Sequence, residues 1–295
     1  MSANLILPIL KGAISFLPGF RWIIEKKRKK SRHSAYNAEF CYALWLSSVR
    51  KFEEHRIITT FNRLGEIGTG GSLGVGICAL LSGCNLFYAL EIEQEFDIEQ
   101  NLNLLEKLIK LFREKEPINI YSQLNIKTDN YNFPSDIIVP NFLNDDFIKQ
   151  IRADIESDFK TNNRIVIVQD WERSKSLQLE LIISRAVMEH VFSPSNVYKA
   201  CFNHISPQGF MLHDIEFHSH GLSAKPNGHL DIPPFLWKII FGKRKYFLNR
   251  FTMKEHLDII RNLSFNVISI EEKYVSDKEL GEKSIFGAII ICEKI

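Results

Sequence analysis

The sequence of 295 residues lacks a strong excess of charge of either sign, with 37 Lys and Arg against 35 Asp and Glu. This balance argues against a nucleic-acid-binding surface spread over the whole molecule. It has only five cysteines, an odd number without metal-ligand spacing, so we expect buried or free thiols in a reducing compartment such as the cytoplasm. Internal repeats and low-complexity segments are absent as well. The chain therefore has the composition of a soluble globular protein, long enough for one large α/β domain with additions.

The N-terminus lacks the order of a signal peptide, because the basic run KKRKKSR (26–32) follows the apolar residues 3–24. A membrane span is disfavoured too, since the apolar run is interrupted at Pro8, Lys11 and Pro18. Two interpretations are left open. One is peripheral contact of residues 1–32 with the inner face of the cell membrane, through an amphipathic element carrying Phe16, Phe20 and Trp22. The other is a docking helix over the core, followed by a solvated charged turn.

Residues 63–91 (RLGEIGTGGSLGVGICALLSGCNLFYALE) have the order strand, glycine-rich turn, helix and strand. This is the first half of a nucleotide-binding βαβ unit. Glu66 stands two residues before Gly68, and Gly70 and Gly71 follow, so the backbone can turn tightly and approach a ligand closely. Glu91 ends the second strand, where its carboxylate can accept both hydroxyls of a ribose.

Position 73 separates two cofactor classes that use this geometry. A dinucleotide fingerprint requires glycine at 68, 70 and 73, but residue 73 is Leu. An acid followed by Gly-x-Gly without the third glycine is typical of enzymes that use S-adenosylmethionine. The turn therefore favours S-adenosylmethionine over a nicotinamide dinucleotide.

Further segments follow in order: NLNLLEKLIKLF, ISRAVMEHV, GFMLHDIEFHSHGL, NGH, LWKIIFGKRKYFLNR and EHLDIIR. Together with EIGTGGSLGVGICALLSG and YALEI they resemble a family of bacterial class I S-adenosylmethionine-dependent methyltransferases, some of which go with surface-polysaccharide genes. The resemblance covers about residues 35–270, and HSHGL, NGH and NR are its most specific parts. The segment AKPNGHLD (224–231) departs from the family, because it lacks the tryptophans that flank NGH there.

The resemblance implies a Rossmann-like α/β fold, a mostly parallel sheet with helices on both faces. We expect an N-terminal helical extension over 1–60, a methyltransferase domain over 61–295, and an insertion at about 117–163 that forms a lid or wall of the substrate site. Periodicity and breakers predict the elements. The predicted helices cover 34–60, 72–82, 98–114, 144–160, 194–204 and two pieces of 235–262. The predicted strands cover 86–91, 164–169, 179–184, 209–217, 265–272 and 285–293, after a first strand at the start of 63–91.

The resemblance also implies roles for individual residues around the cofactor. Glu91 and the neighbouring Ile92 are expected at the ribose, and Asp170 and Trp171 at the adenine, where an acid can accept from the exocyclic amine and an aromatic ring can stack. For Asp170 a cap of a helix or turn stays open as the alternative. The methionine part of the cofactor is expected over the turn formed by Glu66, Gly68, Thr69, Gly70 and Gly71.

The catalytic residues are expected among the histidines, five of which lie between 204 and 229. Imidazole suits the removal of a proton from a hydroxyl acceptor. The candidates for the base are His213, His218 and His220, with His190 as the alternative and Asp214 as a partner that fixes a tautomer or touches the acceptor. A metal site is considered, but the spacing matches no compact zinc motif, so we predict no metal.

The acceptor is expected to be an anionic glycan or glycan precursor, since GKRKYFLNR (242–250) carries four cations. The predicted substrate-binding residues are Arg244, Asn249, Arg250 and His229. The sequence thus predicts an O-methyltransferase of glycans in the cytoplasm. A lipid or small-metabolite acceptor and a non-catalytic cofactor-binding module stay open as alternatives.

Overall fold

The computed structural model describes most of the chain, namely residues 5–17, 36–57, 60–92, 96–122, 124, 126–136, 138, 143–223, 225–244, 248–276 and 283–295. Phe20, Trp22 and the basic run 26–32, on which the two interpretations of the N-terminus depend, lie outside these ranges. None of the helices within the described ranges combines the length and the apolar character that a membrane span requires.

The helices of the described residues are α1 (Ile6–Ile14), α2 (Ala38–Glu54), α3 (Gly74–Leu81), α4 (Ile98–Glu114), α5 (Asp145–Glu156), α6 (Pro194–His204), α7 (Pro234–Phe241) and α8 (Met253–Asn262). The strands are β1 (Arg63–Ile67), β2 (Leu86–Glu91), β3 (Ile165–Gln169), β4 (Leu179–Arg185), β5 (Ile205–Glu216), β6 (Phe265–Ser276) and β7 (Lys283–Lys294).

The seven strands form one sheet in the order β3-β2-β1-β4-β5-β7-β6. Strand β2 pairs in parallel with β1 and with β3, whereas β6 and β7 form an antiparallel pair. The sheet is therefore mostly parallel, as predicted for a Rossmann-like α/β fold, and the fold prediction is confirmed.

Contacts divide the chain into two compact units. We call residues 32–183 and 203–210 the glycine-turn unit, because it contains β1, α3 and β2. We call residues 1–31, 184–202 and 211–295 the histidine unit. The predicted boundary at residue 60 and the predicted lid at 117–163 stay predictions.

Local side chains fix the helix ends. Asn37, Asp97 and Asn144 each stand one residue before a helix and accept a hydrogen bond from its first turn. Thr252 and Glu255 form a complete capping box at the start of α8. Such polar residues before an apolar helical pattern can be recognised in the sequence. The predicted bounds of α4 (98–114) and of α6 (194–204) agree with the structure.

The last turn of α5 and the start of β3 are joined by one buried carboxylate. Asp154 has no exposed surface. Its Oδ1 accepts from the backbone N–H of Asn163 at 2.8 Å, and its Oδ2 accepts from those of Arg164 and Ile165 at 2.6 and 2.8 Å. The hydroxyl of Thr161 donates to Oδ1 as well. We call this set of bonds the Asp154 clasp, and it fixes the chain between helix and strand.

Candidate functional site

The glycine-rich turn after β1 adopts a backbone that favours glycine at three positions. Gly68, Gly70 and Gly71 have φ angles of 70°, 69° and 91°, in the left-handed region. A Cβ built on Gly70 would meet no atom within 4 Å. The turn therefore presents open backbone at the carboxyl end of β1, the edge at which parallel α/β sheets bind ligands.

Glu91 at the end of β2 contacts this turn directly. Its Oε1 accepts a hydrogen bond from the Thr69 hydroxyl at 2.5 Å and from the Gly70 backbone N–H at 3.2 Å. The two predicted elements of the nucleotide motif thus lie together, as their spacing indicated. Ile92, the next residue, exposes 63% of its surface.

Glu66 lies on β1, two residues before Gly68, and is buried. Its Oε2 has no hydrogen-bond partner among the described residues. Burial, together with the charge of Glu91, raises the pKa of Glu66 to about 8. The free side chain is therefore mostly protonated at pH 7, and a cationic group beside it would favour loss of that proton.

Two residues that the sequence did not reveal hold the turn. The amide of Asn101, on α4 and fully buried, accepts from the Leu73 backbone N–H at 2.9 Å and donates to the Gly71 carbonyl at 3.2 Å. The Tyr36 hydroxyl donates to the same carbonyl at 2.7 Å. A polar Asn on the apolar face of α4, beside Leu104 and Leu105, was the signal that could have identified Asn101.

Asp170 and Trp171 follow β3 as predicted. Asp170 is exposed and has a φ of 49°, and its side chain makes no capping hydrogen bond to the short helix that it precedes. Trp171 is buried, its carbonyl bonds to His204 Nε2 at 2.7 Å, and its ring packs against the His204 ring. A contact of either residue with adenine stays a prediction.

In the histidine unit, Glu216 organises two of the predicted histidines. His218 Nε2 lies 2.9 Å and His220 Nε2 lies 3.4 Å from Glu216 Oε2. The two imidazole rings stack, with centroids 4.0 Å apart and planes 3° from parallel. The His190 ring meets the His220 ring edge to face at 5.5 Å. We call Glu216, His218 and His220 the histidine cluster.

The hydrogen bonds assign the tautomer of His218. The backbone N–H of His220 donates to His218 Nδ1 at 3.1 Å, so the ring proton belongs on Nε2, which donates to Glu216. Both nitrogens of His218 are thereby engaged. His220 is the more exposed ring, and burial and the neighbouring His218 lower its pKa while Glu216 opposes the decrease.

The same three side chains could hold a cation, because one ligand atom from each lies within 4.8 Å of the others. Coordination through His218 Nε2 would move the ring proton to Nδ1, where it would face the N–H of His220. The hydrogen-bonded arrangement therefore agrees better with these contacts than metal ligation does.

His213 and Asp214 have other partners. His213 is fully buried on β5, its Nδ1 lies 2.7 Å from the Ser184 hydroxyl, and burial lowers its pKa to about 3. Asp214 accepts from Lys273 Nζ at 2.5 Å and lies 3.7 Å from Arg185 Nε. The carboxylate beside the histidines is Glu216, rather than Asp214 as expected, because Glu216 is two residues nearer the loop that carries them.

Asn249 stabilises the turn that carries His190 through three hydrogen bonds. The Asn249 amide donates to the carbonyls of Met188 and Val191 at 2.7 and 3.0 Å, and its backbone N–H donates to the Glu189 carbonyl. Glu189 is buried without a hydrogen-bond partner for either carboxyl oxygen among the described residues, and burial raises its pKa to about 8.

The remaining predicted substrate residues also make contacts within the histidine unit. The guanidinium of Arg244 donates to the Ile240 carbonyl, and that of Arg250 donates to the Leu230 carbonyl and lies over the Trp237 ring. His229 is buried, and burial lowers its pKa to about 4. A clamp on an anionic acceptor stays a prediction.

No protein-family model matches the chain, and no curated protein sequence matches it either. Solved structures resemble it at low identity. One is a SAM-dependent methyltransferase of Methanosarcina mazei, with 13% identity, TM-score 0.43, and coverage of 80% of this chain and 93% of that chain. Another is an S-adenosylmethionine dependent methyltransferase of Mesorhizobium loti, with 10% identity, TM-score 0.41, and coverage of 83% and 98%. PigF, solved with SAH, has 12% identity, TM-score 0.44, and coverage of 99% and 68%. These values are too low to assign an activity or a ligand to this chain.

Proposed function

We propose that the protein is an S-adenosylmethionine-dependent methyltransferase. The observation that carries the proposal is the turn at 68–71, whose three left-handed glycines lie at the ends of two parallel strands beside Glu66 and Glu91. The fold supports it, because the resemblance implies a mostly parallel Rossmann-like sheet and the seven strands form such a sheet.

The residues present fit this cofactor. The backbone above Gly70 is open, and Glu66 offers a buried carboxyl oxygen without a partner, suited to an ammonium group. Glu91 would hold the ribose hydroxyls. A dinucleotide fits less well, since Leu73 is fully buried and its side chain occupies the position of the third glycine. When bound, the cofactor supplies a methyl group on a sulfonium.

For a hydroxyl acceptor we propose His220 as the general base. His213 has a pKa of about 3, and both ring nitrogens of His218 are engaged. His220 keeps a neutral imidazole at pH 7, since its pKa is lowered. If its proton lies on Nε2 toward Glu216, Nδ1 keeps the lone pair that accepts the acceptor's proton. Glu216 then acts as a positioning residue.

The acceptor that we propose is a glycan or glycan precursor. Its support is the resemblance of HSHGL, NGH and NR to methyltransferases that go with surface-polysaccharide genes. A lipid or a small metabolite is the alternative acceptor.

The proposal is tested by calorimetry with S-adenosylhomocysteine. We expect the chain to bind it, and Glu91→Ala to weaken binding by about 1–3 kcal/mol through the loss of hydrogen bonds to a charged group. Glu99→Ala is the matched control, because Glu99 is an exposed glutamate on α4. Absence of binding, or tight binding of a nicotinamide dinucleotide instead, would contradict the assignment.

A further inference from the structure

Helices α1 and α7 of the histidine unit pack against each other at unusually short range. A Cβ on Gly12 would lie 2.0 Å from the Ile239 carbonyl oxygen, and one on Gly242 would lie 2.2 Å from Ser15 Oγ. Ser15 Oγ accepts from the Lys243 backbone N–H at 2.8 Å. Small residues thus allow the two backbones to pack closely, and α1 is held against α7 by specific contacts.

The inner faces of both helices are covered. Leu5 and Ile9 of the α1 region and Leu236 and Trp237 of α7 pack on a buried cluster. That cluster consists of Leu222, Ile232, Ile240 and Leu248. The core contacts of α1 and α7 therefore lie on one side of each helix.

The outer faces are apolar too. Large side chains of α1, of the turn that follows it and of α7 expose between 40% and 68% of their surface. We call them the α1–α7 apolar surface: Leu7, Leu10, Phe16, Leu17, Phe235 and Ile239. Apolar side chains outside the core-facing side of a helix are normally covered by another element. Exposed apolar side chains grouped on two packed helices indicate an interaction site.

The charges around this surface indicate its partner. Residues 5–17 and 233–244 contain four Lys or Arg and no Asp or Glu. Lys11 and Lys238 are exposed on the two helices, and Lys243 Nζ lies 5.5 Å from the centroid of the Phe16 ring. Exposed apolar side chains with lysines on the same helices suit an anionic lipid surface.

We propose that the α1–α7 apolar surface inserts into the headgroup region of an anionic membrane. A second copy of the chain is disfavoured as the partner, because a two-fold contact would oppose like charges. Helix α1 has nine residues, about 13 Å at 1.5 Å per residue, so it lies on the bilayer and does not cross it.

Vesicle flotation of the full chain tests this proposal. We expect binding to vesicles of phosphatidylcholine with phosphatidylglycerol, little binding to phosphatidylcholine alone, and weaker binding at high salt. The double variant Phe235→Ser, Ile239→Ser should lower the partition coefficient at least about tenfold. Tyr274→Ser, which also removes an exposed aromatic ring, should bind as the wild type does.

A second double variant distinguishes the loss of membrane contacts from misfolding of the first variant. Lys11→Glu with Lys238→Glu changes only exposed side chains and should also reduce binding about tenfold or more, whereas Lys110→Glu on α4 should not. Failure of the wild type to bind anionic vesicles would overturn the proposal, as would binding that both pairs of changes leave intact. A dimer in light scattering that Phe235→Ser, Ile239→Ser dissociates would assign the surface to a second copy instead, and would overturn it too.

Discussion

Glu66 is the residue whose ionisation is most closely tied to the proposed ligand. In the protein without ligand, burial and the charge of Glu91 raise the pKa of Glu66 to about 8. A ligand ammonium beside it would stabilise the carboxylate and lower that pKa.

We therefore expect binding of S-adenosylhomocysteine near pH 7 to release up to one proton, and Glu66→Gln to abolish the release. Calorimetry in two buffers of different ionisation enthalpy measures this number. Glu99→Gln is the control and should release as many protons as the wild type. Equal release by Glu66→Gln would show that another group loses the proton.

The proposed role of His220 as the general base leads to a kinetic prediction. His220→Ala should reduce methyl transfer to an extracted glycan fraction about a hundredfold or more, while affinity for S-adenosylhomocysteine changes little. Because the pKa of His220 is lowered, the wild-type rate should decline on the acid side only below about pH 6.5, the usual histidine value. Glu216→Gln removes a charge that raises this pKa, so it should move the decline to lower pH.

The result of chelation separates the base from a metal ligand. Activity that survives exhaustive chelation agrees with a histidine base. Activity that is lost and then restored by a divalent ion would assign Glu216, His218 and His220 to metal binding. Near-normal turnover of His220→Ala without metal dependence would make His190 the next candidate.

At the scale of elements, the turn at 68–71 depends on α4 through Asn101. Asn101→Ala would leave the buried Leu73 N–H without its acceptor, and an unsatisfied buried group costs about 1–3 kcal/mol. We expect a lower free energy of unfolding together with weaker ligand binding. Asn103→Ala on the exposed side of the same helix is the control. Denaturant unfolding and calorimetry on both variants measure the two effects, and equal losses in the two variants would contradict a specific role.

The bounds of helices and strands could be predicted best where a capping residue or a proline or glycine marks an end. The bounds of α4 agree with the prediction because Asp97 caps its start. Strand β5 begins at Ile205, four residues before its predicted start at 209, because α6 ends at His204 and passes into the strand without a loop. Adjacent elements without a turn residue between them leave no local signal.

The candidate site could be predicted in part for a similar reason. Glu91 was placed at the turn from spacing alone, since the geometry of a βαβ unit is regular. The pairing of Glu216 with His218 and His220 could not be predicted, because it depends on how the loop after β5 turns back over the strand end.

At the scale of the whole molecule, buried ionisable groups make stability depend on pH in two opposite ways. Glu66 and Glu189 have pKa values raised to about 8, so they stabilise the fold below pH 4.5, and this contribution is lost as the pH rises toward 8. His213, His229 and His256 have pKa values lowered to between about 3 and 4, so they stabilise it above pH 6.5, and this is lost as the pH falls toward 3. Between pH 4.5 and 6.5 the two trends oppose each other.

We therefore expect the melting temperature to fall between pH 6.5 and 8, where, of these five groups, the two carboxyl groups lose their contribution. Glu189→Gln should reduce this fall by a few degrees, since about 1 kcal/mol corresponds to roughly 2–4 °C in a chain of this size class. Scanning calorimetry across this range measures it, with Glu293→Gln as the control in the same unit. A slope unchanged in Glu189→Gln would show that Glu189 does not titrate in this range.

Burial also raises the pKa values of cysteine thiols in this protein. All are free and buried, as the sequence predicted, and burial raises the pKa of Cys84 and of Cys292 to about 12. A thiol reagent at pH 8 should modify few of them in the native protein and all five after denaturation. Rapid modification of several cysteines in the native protein would contradict their burial.

The Asp154 clasp has a consequence for how a map of mutational tolerance would be interpreted. Asparagine there would turn an amide NH₂ toward backbone N–H donors, glutamate would be too long for the enclosed space, and alanine would leave three N–H groups without an acceptor. A saturation scan scored on abundance should therefore find almost no accepted replacement at 154, a position with no part in the proposed chemistry. Glu91, which is only partly buried, should accept many replacements in the same scan and few when methyl transfer is scored. The positions where the two scores disagree, rather than the most intolerant positions, would outline the active site of this protein.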